Sequence, residues 1–412
     1  MALFAALVSC EGGNSIAGKD PIKVGVLHSL TGTMAISEVA VKDATLLAIE
    51  EINAAGGVLG RPIEPIVVDG KSDWGVFAAE AERLITAEKV SVVFGCWTSA
   101  SRKTVKPVFE KHDHLLFYPV QYEGLEQSPN IVYTGAAPNQ QIIPAVSWAF
   151  ENIGTKFFLV GSDYVFPRTA NAIIRDVVVA RGGEVVGEEY VLLGDSTVQP
   201  AVDAIIASKP DVILNTINGD SNVAFYKALR QAGVTPAETP TISFSIAEPE
   251  LKSLDVAAMV GDYAAWNYFM SMEGAANKAF IKKYQDRFGA GSLTSDPMEA
   301  AYFGVHLWAQ AVESAKSANP LSVRAAIGDQ TYDAPEGLVY IDAETQHTWK
   351  AARIGRIRED AQFDIVWETD KPVRPVPFPQ TRTREDWAAF LDGLQAGWGG
   401  QWANPGRPAE AP

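Results

Sequence analysis

The chain has 412 residues, a formal net charge of −16 and no run of lysines or arginines. This charge excludes a nucleic-acid-binding protein, which needs a cationic surface. The length is too great for one small core and predicts two domains, while 47% hydrophobic and 20% charged residues are typical of a globular protein.

The N-terminus is apolar and ends in a cysteine. Residues 1–10 read MALFAALVSC, which is too short to span a bilayer, and a glycine-containing polar segment follows. The tetrapeptide LVSC resembles a bacterial lipobox, although no basic residue precedes the apolar part. We therefore expect residues 1–20 to be a signal remnant and tether, and the protein to be periplasmic and anchored to the membrane through a lipid on Cys10.

Strands and helices alternate along the first third of the chain. Short β-branched runs predict the strands, and apolar residues at helical spacing predict the helices. The predicted strands are 23–27, 63–68, 90–94, 115–118 and 131–133, and the predicted helices are 41–54, 74–87 and 103–112. Such alternation specifies a parallel sheet with helices on both faces.

The same alternation then restarts. Helices are predicted at 139–152, 168–181, 198–208 and 221–232, and strands at 156–161, 184–190, 212–216 and 262–266. Further helices are predicted at 274–288, 297–315, 321–327 and 385–394, strands at 337–341, 348–357 and 363–367, proline-rich coil at 371–380 and a poorly ordered end at 397–412. The predicted fold is therefore α/β, with two doubly wound parallel-sheet lobes joined by a hinge and a ligand cleft between them.

The order of these elements predicts where the lobes begin and end. We expect lobe 1 to comprise residues 21–137 and 270–335, lobe 2 to comprise 138–269 and 336–380, and a C-terminal extension to cover 381–412. Catalysis is not expected, because the sequence contains no G-x-S-x-G elbow, no Walker loop and no H-E-x-x-H. Neither a metal ion nor a cofactor is predicted.

Polar and aromatic side chains follow the predicted strands. Strand ends of both lobes face a shared cleft, so these side chains are the candidate ligand contacts. They are Trp97, Ser99, Tyr118, Gln121, Tyr164, Phe166, Asp220, Glu248 and Tyr268.

This set contains no lysine, and Arg102 and Arg168 are expected at its edges, which disfavours a phosphate or polycarboxylate ligand. Flat rings with amides and acids suit a small planar molecule that carries many N–H groups, such as urea or a short amide. Ser99 and backbone N–H groups would donate to its carbonyl, and Gln121, Asp220 or Glu248 would accept its amide protons.

Structural roles are open for several of these residues. Ser99 or Ser101 could cap the following helix, and Asp220 could cap the helix that starts at 221. Glu248 could open a helix, where the dipole favours an acid. Tyr164 and Phe166 could pack between the lobes.

Five segments resemble the urea and short-chain amide branch of the type I periplasmic binding proteins. They are GCWTSASRK at 95–103, FYPVQYEG at 117–124, SPNIVY at 128–133, APNQ at 137–140 and GSDYVFPR at 161–168. The likeness is greatest to the urea-binding components of bacterial ABC importers. The resemblance implies a solute-binding protein that delivers urea, or a short amide, to a membrane permease. It also carries ligand contacts over to Trp97, Ser99, Tyr118, Tyr164 and Phe166.

Other functions remain open from the sequence. A cytoplasmic amide-sensing regulator has the same fold, and the apolar start ending in Cys10 argues against it. A branched-chain amino-acid binding protein also has this fold, but the hydroxyl-rich loops that grip an α-carboxylate are not obvious here. An amidase would need a nucleophile and a base, and no plausible set is present.

Overall fold

The computed structural model describes residues 18–328 and 330–406. Its described elements form two larger sheets and one small one, and helices flank the larger sheets. The predicted fold class is confirmed by this arrangement. Cys10, the predicted lipidation site, lies outside the described residues. Among the described helices, none is both long enough and apolar enough to cross a bilayer.

The first sheet has five parallel strands in the order β2-β1-β3-β4-β5. The strands are β1 (Ile22–His28), β2 (Ile63–Asp69), β3 (Val93–Gly95), β4 (Leu116–Tyr118) and β5 (Ile131–Tyr133), and the helices between them are α1 (Ala35–Ala54), α2 (Trp74–Thr86) and α3 (Ser99–Lys111). Most residues of the central strands are fully buried, because helices cover both faces of the sheet.

The second sheet has seven strands in the order β15-β14-β10-β9-β8-β6-β7, in which β14 is antiparallel to both of its neighbours and all other pairs are parallel. Its strands are β6 (Lys156–Ser162), β7 (Glu184–Val191), β8 (Val212–Thr216), β9 (Thr241–Ser243), β10 (Tyr263–Trp266), β14 (Arg353–Ile357) and β15 (Phe363–Glu368). Its helices are α4 (Ile142–Asn152), α5 (Val165–Ala180), α6 (Gln199–Ser208), α7 (Ser221–Gln231) and α8 (Glu248–Leu251).

The remaining elements, except for the last helix, pack against the first sheet. They are α9 (Ala275–Phe288), α10 (Asp296–Ala315), α11 (Pro320–Ala326), the antiparallel sheet of β11 (Thr331–Ala334), β12 (Gly337–Ile341) and β13 (Thr348–Trp349), and α12 (Arg384–Gly397). Val339 and Ile341 of β12 are buried in the core of the first sheet. The predicted boundaries placed 336–349 in lobe 2, and we assign this segment to lobe 1 instead. The other boundaries stay a prediction.

Three segments cross between the two lobes, and one side chain ties them together. The Nδ2 group of Asn267, which follows β10, donates to the carbonyl of Gln140 at 3.0 Å and to that of Ala351 at 2.7 Å. Gln140 follows β5, and Ala351 lies between β13 and β14. We call the stretches 134–141, 267–268 and 350–351 the hinge.

Several predicted boundaries are wrong. Helices α1, α3 and α5 begin at Ala35, Ser99 and Val165, several residues earlier than predicted. The C-terminal segment was expected to be poorly ordered from 397 onward, but residues 398–406 are described, and Trp398 and Ala403 are buried. In particular, Ala403 pairs with Tyr164, and the N–H of Val165 donates to the carbonyl of Trp402 at 2.9 Å.

Candidate functional site

The turn after β3 is shaped by close contact with β1. A Cβ atom on Gly95 would lie 2.1 Å from the carbonyl oxygen of Leu27, so only glycine fits there. Cys96 has a positive φ of 65° and is buried, as expected for a packing residue. Helix α3 is capped by Thr98, whose Oγ1 accepts from the N–H of Ser101 at 3.0 Å. The capping role expected for Ser99 or Ser101 therefore belongs to Thr98.

Two predicted aromatic residues of lobe 1 are in direct contact at the carboxyl ends of β3 and β4. The hydroxyl of Tyr118 donates to the backbone carbonyl of Trp97 at 2.5 Å. Trp97 is 3% exposed, and its indole N–H donates across to Oδ1 of Asn218 in lobe 2 at 3.4 Å. Trp97 and Tyr118 thus form a buried aromatic wall where the two lobes meet.

Arg102 is fully buried, so the prediction that it lies at the edge is wrong. Its Nε donates to Glu126 at 2.9 Å, its Nη2 to Glu123 at 3.1 Å and its Nη1 to Oγ of Ser99 at 3.0 Å. The guanidinium also lies 4.8 Å from the ring centroid of Tyr118. Every nitrogen of Arg102 therefore has a partner, and Arg102 and Lys103 together pair with the two carboxylates.

Glu126, one of the two acids that contact Arg102, is ionised. Burial alone would raise the pKa of Glu126, but the charges of Arg102 and Lys103 hold that pKa well below its usual range. Ser99 donates its hydroxyl hydrogen to Glu123. The prediction that Ser99 offers this hydrogen to a ligand is therefore not supported, and its position in the structure suits orienting Glu123.

The first turn of α3 still offers donors. An α-helix leaves its first N–H groups without intrahelical partners. Thr98 takes only those of Ser101, through its hydroxyl, and Arg102, through its carbonyl. Within the described part of the chain, the N–H groups of Ser99 and Ala100 have no acceptor and could donate to a ligand oxygen. The helix dipole favours a partial negative charge there.

Lobe 2 contributes two aromatic side chains to the same region. Tyr164 and Phe166 are 1% and 2% exposed, with ring centroids 6.3 Å apart. Burial raises the pKa of Tyr164 well above its usual value, and the nearby Tyr118 and Glu123 raise it further. The phenol of Tyr164 thus keeps its proton and lies near Tyr118 and Glu123 of lobe 1.

Further contacts close the two lobes on each other. The side-chain amide of Gln121 donates to the carbonyl of Phe244 at 2.7 Å, and Thr33 donates to Asp220. Oε1 of Gln121 is buried and has no partner among the described residues. Together with the pair formed by Trp97 and Asn218, these contacts hold the lobes in a closed arrangement.

The structure brings most of the predicted site together but sets three residues apart. Asp220 is exposed at the rim, where it contacts Thr33 and does not cap α7 through its side chain. The hydroxyl of Tyr268 forms hydrogen bonds with Oδ1 of Asn277 and Oγ1 of Thr294, at 2.7 Å each. Tyr268 thus lies in the hinge, and its side chain packs against lobe 1.

Glu248 also belongs to the region beside the hinge. It is fully buried as the first residue of α8, and its Oε1 accepts from the N–H of Met270 at 2.6 Å. Burial raises the pKa of Glu248 to about 8, so this side chain is mostly protonated at neutral pH. This protonated form is a poorer acceptor than the carboxylate expected from the sequence.

Two buried polar residues of lobe 1 were missed by the sequence analysis. His28 ends β1, and its Nδ1 lies 3.1 Å from Oε2 of Glu38 in the first turn of α1. His28 follows a predicted strand directly, so the strand-end rule could have included it. Glu38 was overlooked because α1 was predicted to start at 41. Within the described residues, no group of three or more His, Cys, Asp or Glu side chains is arranged to hold a metal ion.

Comparison with known proteins adds three findings. Residues 22–384 match the family described as periplasmic binding protein domain. A leucine-, isoleucine-, valine-, threonine- and alanine-binding protein of Pseudomonas aeruginosa is 29% identical over 117 residues, which are 28% of this chain and 31% of that protein. A protein of Geobacillus stearothermophilus named limonene hydroxylase is 27% identical over 117 residues, which are 28% of this chain and 21% of that protein.

Solved structures share the fold. A solute-binding protein of an ABC transporter from Rhodopseudomonas palustris HaA2, in complex with p-hydroxybenzoic acid, superposes with a TM-score of 0.77 at 24% identity, covering 86% of this chain and 98% of that one. The chain thus spans nearly the whole of this structural neighbour. It aligns with only about a fifth to a third of the length of the two curated relatives.

Proposed function

The chain belongs to the periplasmic binding protein family, and from this premise we propose that it is the solute-binding protein of an ABC importer that captures urea or a short-chain amide. It would close its two lobes around one ligand molecule and present the closed form to the membrane permease. Binding would drive closure, because the ligand has partners on both lobes only when they meet. The proposed location is the periplasm, with anchoring through Cys10.

The observation that carries this proposal is the state of Arg102. A ligand carboxylate needs an unpaired cation or several free donors, since burying an anion without partners is costly. Arg102, the buried guanidinium beside Tyr118 and Tyr122, is already paired with Glu123 and Glu126. An amino acid or a hydroxybenzoate would bring a further negative charge next to these two acids. An uncharged ligand avoids that repulsion.

The available donors and acceptors fit an amide. The N–H groups at the start of α3 and the phenol of Tyr164 can donate to a carbonyl oxygen. Glu38 and Gln121 each have a buried side-chain oxygen without a partner among the described residues, and both can accept N–H groups. Urea has one carbonyl and four N–H hydrogens, so it can pair with donors and acceptors together.

Size supports the same choice. Trp97, Tyr118 and Tyr164 are each at most 3% exposed, and the lobes around them are in direct contact. A flat molecule with few heavy atoms would fit between these aromatic faces with the least separation of the lobes. Leucine and 4-hydroxybenzoate are larger and would hold the lobes further apart.

A branched-chain amino-acid binding protein is the second candidate, and the Pseudomonas aeruginosa relative is the observation that favours it. Its ligand would need a cation for the α-carboxylate, which would require Arg102 to give up one of its acids. A cytoplasmic amide sensor differs in location, and membrane fractionation of the wild type and Cys10→Ala separates it from the importer component. Release of ammonia from urea would instead indicate an amidase.

We expect isothermal titration of the purified protein to give saturable heat with urea or acetamide, and none with leucine or 4-hydroxybenzoate. Trp97→Ala should abolish that heat, because it removes an aromatic wall and the bond to Asn218. Trp349→Ala is the matched control, since that indole stacks on Tyr340 in the small sheet and should leave binding unchanged. Heat with leucine and none with either amide would contradict the proposal.

A further inference from the structure

Glu38 and His28 form a buried polar pair at the carboxyl end of β1. Glu38 is 0% exposed, and its Oε2 accepts from the backbone N–H of Ser29 at 2.8 Å and from Nδ1 of His28 at 3.1 Å. Because a carboxylate only accepts, Nδ1 of His28 carries the proton of this bond. With no second proton on the ring, Nε2 is an acceptor.

Two polar atoms of this pair form no hydrogen bond with the described residues. Among the described residues, neither Oε1 of Glu38 nor Nε2 of His28 has a hydrogen-bond partner, although both side chains are at most 1% exposed. Folded proteins pair nearly all buried polar side-chain atoms, and an unpaired one attached to a charged group is especially costly. Two unpaired polar atoms on one hydrogen-bonded pair of buried side chains therefore indicate a place where another molecule supplies hydrogen bonds.

The pair lies at the junction of the two lobes. His28 ends β1, and β1 pairs with β3, whose end leads into the turn that carries Trp97. Ser37, the residue before Glu38, shares a hydrogen bond with Glu250 of lobe 2. Burial chiefly raises the pKa of Tyr164, and the charge of Glu38 is one of the further causes, so the carboxylate is within electrostatic reach of that phenol.

We propose that Glu38, held in place by Ser29 and His28, accepts an N–H group of the ligand through Oε1, and that His28 offers Nε2 as a second acceptor. The pair is thus a specificity determinant that selects an uncharged N–H donor and rejects a carboxylate of the same shape. This inference rests on the proposed function and adds the residues that accept hydrogen bonds from the ligand's amide protons. Carboxylate ligands are rejected by the charge of Glu38 as well as by the lack of a free cation.

The test compares urea with acetate, because both are flat, Y-shaped molecules with four heavy atoms, and only acetate is charged. In the wild type, urea should bind and acetate should bind far more weakly. Glu38→Gln should weaken urea binding about 10- to 100-fold, the loss expected for a hydrogen bond to a charged group. The same change removes a repulsion from acetate, so the preference for urea over acetate should fall at least about 10-fold.

Asp69→Asn is the matched control. Asp69 also holds the loop after β1, through the N–H of Leu30 at 2.8 Å and the hydroxyl of Thr31 at 2.7 Å. This variant should keep both urea affinity and the preference over acetate. If Glu38→Gln does not fold, as judged by thermal melting, Glu38→Asp replaces it. This variant keeps the carboxylate but places it further from the ligand, so it should weaken urea binding while still rejecting acetate.

The outcomes separate the two proposals. A wild type that binds no urea contradicts the proposed function. A wild type that binds urea, with Glu38→Gln unchanged in its preference over acetate, overturns the role of Glu38 alone. An equal loss of urea affinity in Asp69→Asn also overturns it, because the effect would then belong to the loop.

Discussion

Arg102→Met is expected to lower the free energy of unfolding by about 3–5 kcal/mol, as breaking a buried ion pair does when one partner is removed. Glu123 is 0% exposed and the Glu126 side chain 4% exposed. Methionine fills much of the volume of arginine but leaves these carboxylates with Lys103 as their remaining described cation, 3.8 and 3.2 Å away. Contacts of the guanidinium with Tyr118 and Tyr122 are lost as well.

Thermal melting by circular dichroism measures this change, and it avoids urea as a denaturant because urea is the proposed ligand. Arg83→Met is the matched control. Arg83 also pairs with two acids, Glu80 and Glu88, but its side chain is 41% exposed, and such surface pairs contribute little. An Arg102→Met variant that melts with the wild type would contradict the assignment of Arg102 as a buried, fully paired cation.

Lys350→Met is expected to destabilise the protein by a similar amount, about 3–5 kcal/mol near pH 8. Lys350 is fully buried in the hinge, with Nζ 2.9 Å from Glu336, 3.8 Å from Asp296, 4.0 Å from Glu299 and 3.2 Å from the carbonyl of Thr134. Within the described residues, Asp296 and Glu299 have no other cation at ion-pair distance. The variant therefore leaves two buried acids uncompensated.

The loss of stability in Lys350→Met should depend on pH. Burial raises the pKa of Glu299 and Glu336 above the ordinary value of 4.5, and the charge of Lys350 opposes that rise. Without Lys350 the pKa of both acids rises further, so the native state holds protons that the unfolded state releases. Unfolding free energy then falls as pH increases above about 4.5, because only the native state remains protonated.

Melting temperatures of Lys350→Met and the wild type should therefore differ more at pH 8 than at pH 5. Lys316→Met is the matched control, since that lysine also pairs with a glutamate but is 78% exposed. A difference in melting temperature that is the same at both pH values, or larger at pH 5, would contradict a cluster in which the charge of Lys350 limits the rise in the pKa of these acids.

Alternation of strands and helices was sufficient to predict the fold class, because each buried parallel strand has a strong apolar signal. Helix starts were predicted less well. Ser99 and Ser101 favour capping positions, so α3 was predicted to begin after them, whereas Thr98 takes the cap and both serines are helical. Local preferences of hydroxyl residues do not decide which of several neighbours becomes the cap.

Much of the candidate site could also be predicted from the ends of the strands. That rule selected Trp97, Tyr118 and Tyr164, which the structure brings together, although their contact with a ligand stays a prediction. It also selected Tyr268, because the sequence does not tell which strand ends face the cleft and which enter the hinge. The rule missed Glu38, which lies on a helix, and it could not show that two acids would neutralise Arg102.

A crystal structure of the protein grown with urea tests the central claim most directly, namely that an uncharged molecule is enclosed between the lobes. We predict density for urea among Trp97, Tyr118 and Tyr164, with its oxygen toward the start of α3 and an N–H group toward Glu38. Density for a carboxylate ligand paired with Arg102, or urea bound elsewhere with this space filled by side chains, would contradict the account.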